Sequence, residues 1–280
     1  MSRLTIALVA IIAVLAGGLA TSLYSRAEPG LDEAGVRAIV TDVLAETDKP
    51  VSVAGIDAAT LHPMIESYLM ANPRILERVS NALQAEVRKD EIMQSRAAIA
   101  AMQDQIYNNP NEIVLGNPQG DVTLVEMFDY NCSYCRSAMP DMAKLLDTDP
   151  NLKIILKEFP ILSQESVEVA RIALAAHQAG IDYWTFHTTL FTARGKVTKD
   201  TALDAAEAQG LSRVSLELDA QSDDINAIIQ RSYEIAQAIG TTGTPTYLIG
   251  DEVIPGAIGI ESLRDRIANM RACGSTVCDG

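Results

Sequence analysis

The sequence is short of basic residues. It contains 22 lysine and arginine residues against 37 aspartate and glutamate residues, which gives a formal net charge of −15 at pH 7. Binding to nucleic acid or to anionic membranes requires clustered basic side chains. The charge balance therefore argues against both kinds of partner, and we expect no nucleic-acid binding.

Other features are also missing from the sequence. It has no internal repeat, no low-complexity segment and, after residue 20, no further hydrophobic run that would cross a bilayer. These absences argue against a repeat protein and against a membrane protein with several spans. A length of 280 residues is enough for one domain with a sizeable core and an appendage.

The N-terminus predicts export. Arg3 precedes an uncharged apolar run from residue 4 to residue 20, and Ser25 and Ala27 are small residues at the −3 and −1 positions of a cleavage site. This pattern is typical of a secretory signal peptide, here residues 1–27. An uncleaved membrane anchor is the alternative. Both interpretations place the protein outside the cytoplasm, in the periplasm of a bacterium.

Four cysteines are present, and two of them suggest redox chemistry. Cys132 and Cys135 are spaced C-x-x-C between an apolar run, residues 122–128, and a helical pattern. The N-terminus of that helix stabilises a thiolate on Cys132, and Cys135 lies one turn further along. We therefore expect Cys132 to be the exposed attacking sulfur and Cys135 the more buried resolving sulfur.

Two other interpretations of the cysteines remain open. C-x-x-C is also a common zinc-binding pair, which Cys273 and Cys278 could complete with two more ligands. Against zinc, the nearest histidine is His177, 42 residues after Cys135. An oxidising compartment favours disulfides, and for Cys273 and Cys278 we expect a small local one.

Three motifs, taken in order, resemble the DsbA family of the thioredoxin superfamily. The first is Cys132-Ser133-Tyr134-Cys135, preceded by Glu126, and the last is Gly243-Thr244-Pro245. Between them, residues 183–191 are similar to the helical insertion of DsbA. The resemblance implies an α/β thioredoxin-like fold with a DsbA-type helical insertion, preceded by an α-helical N-terminal region.

The resemblance also implies roles for individual residues. Glu126 would be the buried acid beneath the cysteines and the proton acceptor for Cys135, and Pro245 a cis-proline that presents the Thr244 backbone to a peptide. Ser133 and Tyr134 would tune the Cys132 pKa. Strongly oxidising DsbA proteins have histidine at the position of Tyr134, so we expect a less oxidising couple here.

The predicted function is that of an extracytoplasmic protein thiol:disulfide oxidoreductase, either an oxidase or an isomerase/reductase. Its expected partners are unfolded or cysteine-containing exported proteins and a membrane redox partner. No cofactor or metal is expected beyond the redox-active disulfide itself. The alternative is a chaperone-like periplasmic protein whose cysteines bind copper or zinc.

A helical region, residues 28–108, is predicted to precede the catalytic domain, residues 109–280. Amphipathic spacing predicts helices over 31–46, 57–70 and 73–107. The motifs MIESYL, NPRIL and ALQ are similar to the N-terminal region of ScsC-type DsbA relatives, some of which form multimers through it. The apolar stripe therefore predicts either a homo-oligomer through residues 31–106 or packing on the catalytic domain.

The catalytic domain is predicted to alternate strands and helices. Strands are expected at 112–115, 122–128, 152–158, 244–249 and 252–254, and the active-site helix at 135–147. Lys157 and Glu158 are interpreted either as partners of Glu126 or as surface charges of a strand. The strand–helix–strand order predicts a parallel, right-handed pairing of the second and third strands.

Overall fold

The computed structural model describes residues 58–278, and its contacts divide the chain into two compact units, 1–75 and 76–280. The predicted signal segment and the predicted helix 31–46 lie outside the described residues. In the first unit the structure describes helix α1, Ala58–Ala71. Helix α2, Arg74–Ala101, begins just before the boundary and continues into the second unit. No described helix is long and apolar enough to cross a membrane.

The predicted long helix 73–107 is interrupted near its end. Helix α2 ends at Ala101, and a short helix α3, Gln103–Tyr107, follows Met102, whose backbone departs from helical geometry. Ile99 of α2 and Ile106 of α3 are 3% and 0% exposed. The predicted boundary at residues 108 and 109 stays a prediction, but core residues of the second unit precede it.

The second unit is built on a mixed five-stranded sheet in the order β1-β3-β2-β4-β5. Its strands are β1 Ile113–Gly116, β2 Val122–Phe128, β3 Leu152–Glu158, β4 Thr246–Ile249 and β5 Glu252–Pro255. Strands β2 and β3 pair in parallel, and the other neighbours pair antiparallel. Helix α4, Ser133–Thr148, connects the parallel pair. The predicted parallel unit is therefore confirmed.

Six further helices complete the fold: α5 Gln164–Gln178, α6 Tyr183–Thr192, α7 Lys199–Glu207, α8 Arg213–Asp219, α9 Asp223–Ile239 and α10 Ile260–Cys273. Short polar side chains begin five of them, because each accepts a hydrogen bond from a backbone N–H of the first turn. These caps are Ser163, Asp182, Thr198, Ser212 and Ser222. Helices α5 to α9 lie between β3 and β4 in the chain and include the predicted insertion.

The two faces of the sheet are buried by different elements. Leu124 and Phe128 of β2 belong to a large apolar cluster with α4 and the insertion helices. Val125 and Met127 point the opposite way, since side chains alternate along a strand, and they pack with Ile99 and Ile106. The last turns of the N-terminal helices are therefore part of the core of the catalytic domain.

The C-terminal helix is fastened to the end of α4 that lies away from Cys132. The Arg271 guanidinium donates to the carboxylates of Asp121 and Asp149, and Asp149 is the C-cap of α4. Cys273 and Cys278, just beyond Arg271, form the expected local disulfide. Helix α4 has 16 residues and is about 24 Å long. This disulfide is therefore remote from Cys132 and Cys135, which are free cysteines in the structure.

We predict that two isoleucines of α2 differ sharply in their contribution to stability. Ile99→Ala should lower the free energy of unfolding by about 2–5 kcal/mol, because it leaves a cavity in the core. Ile92→Ala should change it by less than about 0.5 kcal/mol, since Ile92 is 53% exposed. Chemical denaturation of both variants measures the difference. Equal effects would mean that α2 does not belong to the core.

Candidate active site

Cys132 lies at the end of the turn that connects β2 to α4. It is the N-cap residue of α4 and has an extended backbone conformation. The backbone N–H groups of Tyr134 and Cys135 donate to its sulfur. These amides are free because the first turn of a helix has no carbonyl partner for them. The turn after the apolar strand therefore places the Cys132 sulfur beside free N–H donors that stabilise a thiolate.

The pKa of the Cys132 thiol is lowered to about 5. The largest cause is a hydrogen bond from the Cys135 thiol, and partial burial opposes it. The Cys132 residue is 6% exposed and Cys135 is 1% exposed. The expected order of exposure holds, but Cys132 is more enclosed than the sequence suggested, because the loop before β4 covers it.

The Cys135 thiol has the opposite character. Burial raises its pKa strongly, and the hydrogen bond to Cys132 and the nearby Glu126 carboxyl raise it further. The backbone N–H of Asp129 donates to its sulfur and lowers the pKa in part. At neutral pH the site therefore holds one thiolate and one thiol.

Glu126 is the buried acid that the sequence suggested. It is 2% exposed in the middle of β2, and the Tyr247 hydroxyl donates to its carboxyl group. Burial raises the pKa of Glu126 to about 8, the Tyr247 hydrogen bond lowers it, and the Cys132 charge raises it. Its Oε2 is buried without a hydrogen-bond partner among the described residues. The carboxyl is thus largely neutral at pH 7.

Neither Lys157 nor Glu158 pairs with Glu126, and neither is a surface charge, so both interpretations of this pair were wrong. Lys157 is 4% exposed on the other face of the sheet, where it forms an ion pair with Glu112. Glu158 is 1% exposed and accepts a hydrogen bond from the Tyr183 hydroxyl. The strand pattern alone could not assign each charge to a face.

The loop before β4 completes the site. The Thr244–Pro245 peptide bond is cis, and the Thr244 carbonyl oxygen lies 3.1 Å from Cys132 Sγ, which donates to it as a thiol. Thr244 Oγ1 is buried without a hydrogen-bond partner among the described residues. The Thr244 side chain also helps to lower the Cys132 pKa, so the thiolate is a suitable acceptor for its hydroxyl.

The two residues between the cysteines face solvent. Ser133 is exposed, and the Tyr134 side chain is 67% exposed. Tyr134 contacts Cys132 through its backbone N–H, which donates to the sulfur. The tuning roles of both side chains stay predictions.

The sequence interpretation missed the residues immediately before Cys132. The Asp129 carboxylate is fully buried and accepts backbone N–H groups of Asn131, Ile161 and Leu162 at 2.8–3.0 Å. The Asn131 side chain both donates to and accepts from the backbone of Val197. An Asp and an Asn beside the cysteines were the available signal, but both types are common in turns.

We predict that Cys135→Ala raises the pKa of Cys132 from about 5, because it removes the thiol that donates to the thiolate. The proton affinity of Cys132 should rise about tenfold, as expected for one hydrogen bond to a charged group. Thiolate absorbance of the reduced protein during a pH titration measures this, in a Cys273→Ser/Cys278→Ser background. Cys132→Ser should abolish the transition. An unchanged midpoint in Cys135→Ala would contradict the assignment.

Comparison with known proteins places this geometry in a family. A family model described as thioredoxin matches residues 108–269. A thiol:disulfide interchange protein DsbA from Bordetella parapertussis is 25% identical over 55% of this chain and 75% of its own length. A Na(+)/H(+) antiporter NhaA 1 from Salinispora arenicola is 28% identical over 57% of this chain, but the match spans only 24% of the antiporter.

Three solved structures are similar. A thioredoxin-like oxidoreductase from Silicibacter pomeroyi is 41% identical over 61% of this chain and 98% of its own, with a TM-score of 0.59. A periplasmic thioredoxin-like protein from Salmonella enterica serovar Typhimurium is 29% identical over 61% and 97%, with a TM-score of 0.56. Proteus mirabilis ScsC in a transitional conformation is 27% identical over 78% and 98%, with a TM-score of 0.58.

The match with ScsC extends beyond the catalytic domain, whereas the first two structures match about three fifths of the chain. The chain belongs to the thioredoxin family, as a DsbA-like member of the superfamily.

Proposed function

We propose that the protein is an extracytoplasmic protein thiol:disulfide oxidoreductase in which Cys132 is the nucleophile and Cys135 the resolving cysteine. The observation that carries the proposal is the opposite ionisation of two adjacent sulfurs. Cys132 has its pKa lowered to about 5, and Cys135 has its pKa raised by burial. A low pKa provides the attacking or leaving thiolate of disulfide exchange.

The exchange proceeds through a mixed disulfide. In the oxidising direction, a substrate thiolate attacks Cys132 Sγ, the bond between Cys132 and Cys135 breaks, and Cys135 leaves with the electron pair and takes up a proton. A second substrate thiolate then attacks the substrate sulfur, and Cys132 leaves as a thiolate. The substrate loses two electrons and the protein gains them. Reduction uses the same bonds in reverse. Isomerisation begins with attack of the Cys132 thiolate on a substrate disulfide and ends, after rearrangement of the mixed disulfide, with no net transfer of electrons.

Glu126 is suited to move the proton of Cys135. With a pKa of about 8 the carboxyl carries a proton at neutral pH and has an accessible ionised form. It lies close enough to Cys135 for its charge to raise the pKa of that thiol. Glu126 therefore acts as proton donor when Cys135 leaves and as proton acceptor when Cys135 attacks.

The cis-proline loop supplies the surface for the substrate peptide. Thr244 places its carbonyl oxygen against Cys132, and an extended chain beside the sulfur would pair with the backbone of this loop. Backbone pairing requires an unfolded segment around the substrate cysteine. The substrates are therefore unfolded or cysteine-containing exported proteins, and a membrane redox partner restores the working state of the dithiol.

The proposed location outside the cytoplasm has three supports. The N-terminal pattern of residues 1–27 is typical of a signal peptide or an anchor. One of the similar solved structures is described as a periplasmic protein. A disulfide between Cys273 and Cys278 suits the same oxidising compartment.

The copper or zinc alternative gains no supporting observation. Within residues 58–278, no three His, Cys, Asp or Glu side chains come together in a way that could hold a metal ion. Cys273 and Cys278 are bonded to each other, and they lie near the end of α4 away from Cys132. No four-cysteine site can form from these two pairs in this fold.

The proposed partner at the N-terminal helices is a second copy of this chain. The two copies would associate through residues 31–106. In α2, the apolar residues Leu76, Val79, Leu83 and Val87 are each 46–59% exposed and are spaced as in a helix–helix seam. Leu83 and Ile99 are 16 residues apart, about 160° around an ideal helix. The stripe therefore faces away from the core that Ile99 enters.

We predict that the two site cysteines fail differently when replaced. Cys132→Ser should abolish dithiol oxidation, because the exchanging sulfur is lost, and Cys135→Ser should accumulate mixed disulfides, because nothing resolves them. Gel-shift trapping with a cysteine peptide measures both. Glu126→Gln should still form the mixed disulfide but slow its resolution by about a hundredfold. Activity that survives in Cys132→Ser would sink the assignment.

The direction of the reaction is decided by the reduction potential of the Cys132–Cys135 couple. The Cys132 pKa of about 5 lies between the values of about 3.5 for DsbA and about 7 for thioredoxin. We expect equilibration with glutathione to give a potential near or below about −180 mV, as for an isomerase or reductase. A value near about −120 mV would mean an oxidase and would refute the interpretation of Tyr134.

We predict that the α2 stripe determines the oligomeric state. Leu76→Ser/Leu83→Ser should convert an oligomer to a monomer, because it removes apolar area from the seam. The matched variant Asn81→Ser/Ala85→Ser, on the opposite side of the helix, should leave the mass unchanged. Light scattering after gel filtration measures the mass. A monomeric wild-type protein would refute self-association.

A further inference from the structure

Four buried polar side chains form a continuous hydrogen-bonded chain, and the exchange chemistry uses none of them. His187 Nδ1 lies 2.9 Å from the Tyr130 hydroxyl, which lies 3.0 Å from the Tyr183 hydroxyl. The Tyr183 hydroxyl donates to Glu158 Oε1 at 3.1 Å. The four residues are between 1% and 5% exposed. Satisfying so many polar groups inside an apolar cluster indicates a specific purpose.

The direction of each hydrogen bond follows from the last link. Each tyrosine hydroxyl has one proton, and Tyr183 donates its proton to Glu158. The Tyr183 oxygen therefore accepts from Tyr130, and the Tyr130 oxygen accepts from a protonated His187 Nδ1. Burial lowers the His187 pKa to about 3 and raises the Glu158 pKa well above its ordinary range. His187 is thus neutral at pH 7, and burial disfavours the ionised form of Glu158.

This hydrogen-bonded network reaches the redox site at Tyr130, which lies two residues before Cys132. Its neighbours on both sides are held as well: Asp129 by the loop at residues 161 and 162, and Asn131 by the backbone of Val197. Three consecutive side chains therefore fasten this segment to three different parts of the domain. The segment ends at Cys132.

The same segment supplies backbone groups to both cysteines. The Asp129 N–H donates to the Cys135 sulfur, and the Asp129 carbonyl accepts the Cys132 N–H at 2.9 Å. A small rotation of the Tyr130 backbone would move these groups. The Tyr130 ring also packs against Phe128 and Phe191, with centroids 5.0 Å apart in each case. The hydroxyl contacts add directional hydrogen bonds to this ring packing.

We propose that Tyr130, anchored through its hydroxyl to His187 and to the Tyr183–Glu158 pair, is a positioning residue for the dithiol. It fixes residues 129–132 so that the donors of α4 and of the segment itself stay aimed at the two sulfurs. The inference rests on the proposed oxidoreductase function and deepens it. The positioning role is tested by titration of the Cys132 thiolate and the oxidoreductase function by turnover, so each can fail without the other.

The test replaces one hydroxyl at a time and titrates Cys132 in the reduced protein, in a Cys273→Ser/Cys278→Ser background. Tyr130→Phe keeps the ring and should raise the proton affinity of Cys132 about threefold to tenfold, the range expected for one lost hydrogen bond. Tyr107→Phe is the matched control. Its hydroxyl donates to the Gly250 carbonyl at 2.7 Å, outside the site, so its titration should match wild type.

Two further variants keep the proposal falsifiable. Tyr183→Phe removes the acceptor of Tyr130 and should shift the Cys132 titration in the same direction, which carries the test if Tyr130→Phe does not fold. Glu158→Gln retains a neutral acceptor and should leave the titration at its wild-type position. Tyr130→Phe and Tyr183→Phe could lose stability while Cys132 titrates in them as it does in Tyr107→Phe. The hydrogen-bonded network would then be purely structural, and the proposal would fail. A shift in Glu158→Gln as large as in Tyr130→Phe would also overturn the proposal, because this variant keeps the oxygen that accepts from Tyr183.

Discussion

Hydrogen bonding to one sulfur, Cys132 Sγ, is the interaction on which the site depends. Donors reach it from α4, which contributes two backbone amides and the Cys135 thiol, and from the loop before β4, which contributes the Thr244 side chain. Cys135 and Thr244 are 109 residues apart in sequence and meet because β2 lies between β3 and β4 in the sheet. A central strand that ends in a turn can receive a helix start from one side and a loop from the other. The sheet order is thus a condition for the thiolate.

The sheet also separates two electrostatic environments. On the face of the cysteines, Glu126 and Glu158 are buried without a cation, and burial raises the pKa of both. On the other face, Lys157 and Glu112 form a buried ion pair beside the end of α3. A second full negative charge near Cys132 would oppose its ionisation, as the mutual effect of Glu126 and Cys132 indicates. A largely neutral Glu126 beside the thiolate reduces this repulsion.

Helix α2 differs in its surroundings along its length. Near its end, α2 contributes Ile99 to the core of the catalytic domain, while its earlier turns present an exposed apolar stripe. Packing on the catalytic domain therefore involves the last turns of α2, and the proposed self-association would use its earlier turns. A rigid helix shared in this way would fix the direction of a partner copy relative to the dithiol, since a continuous helix transmits its orientation.

The sequence by itself determined the strands 122–128 and 152–158, the cysteines at the start of a helix, the local disulfide and the acid within β2. Each follows from a local signal: a continuous apolar run, a spacing, or a charge inside such a run. The cis-proline was expected from resemblance. Only the tertiary structure decided which partners Lys157 and Glu158 have on the two faces of the sheet, that Cys132 is enclosed, and that Tyr130 meets Tyr183 and His187. Those contacts join residues about 50 positions apart, and no local periodicity encodes which distant side chains share a buried space.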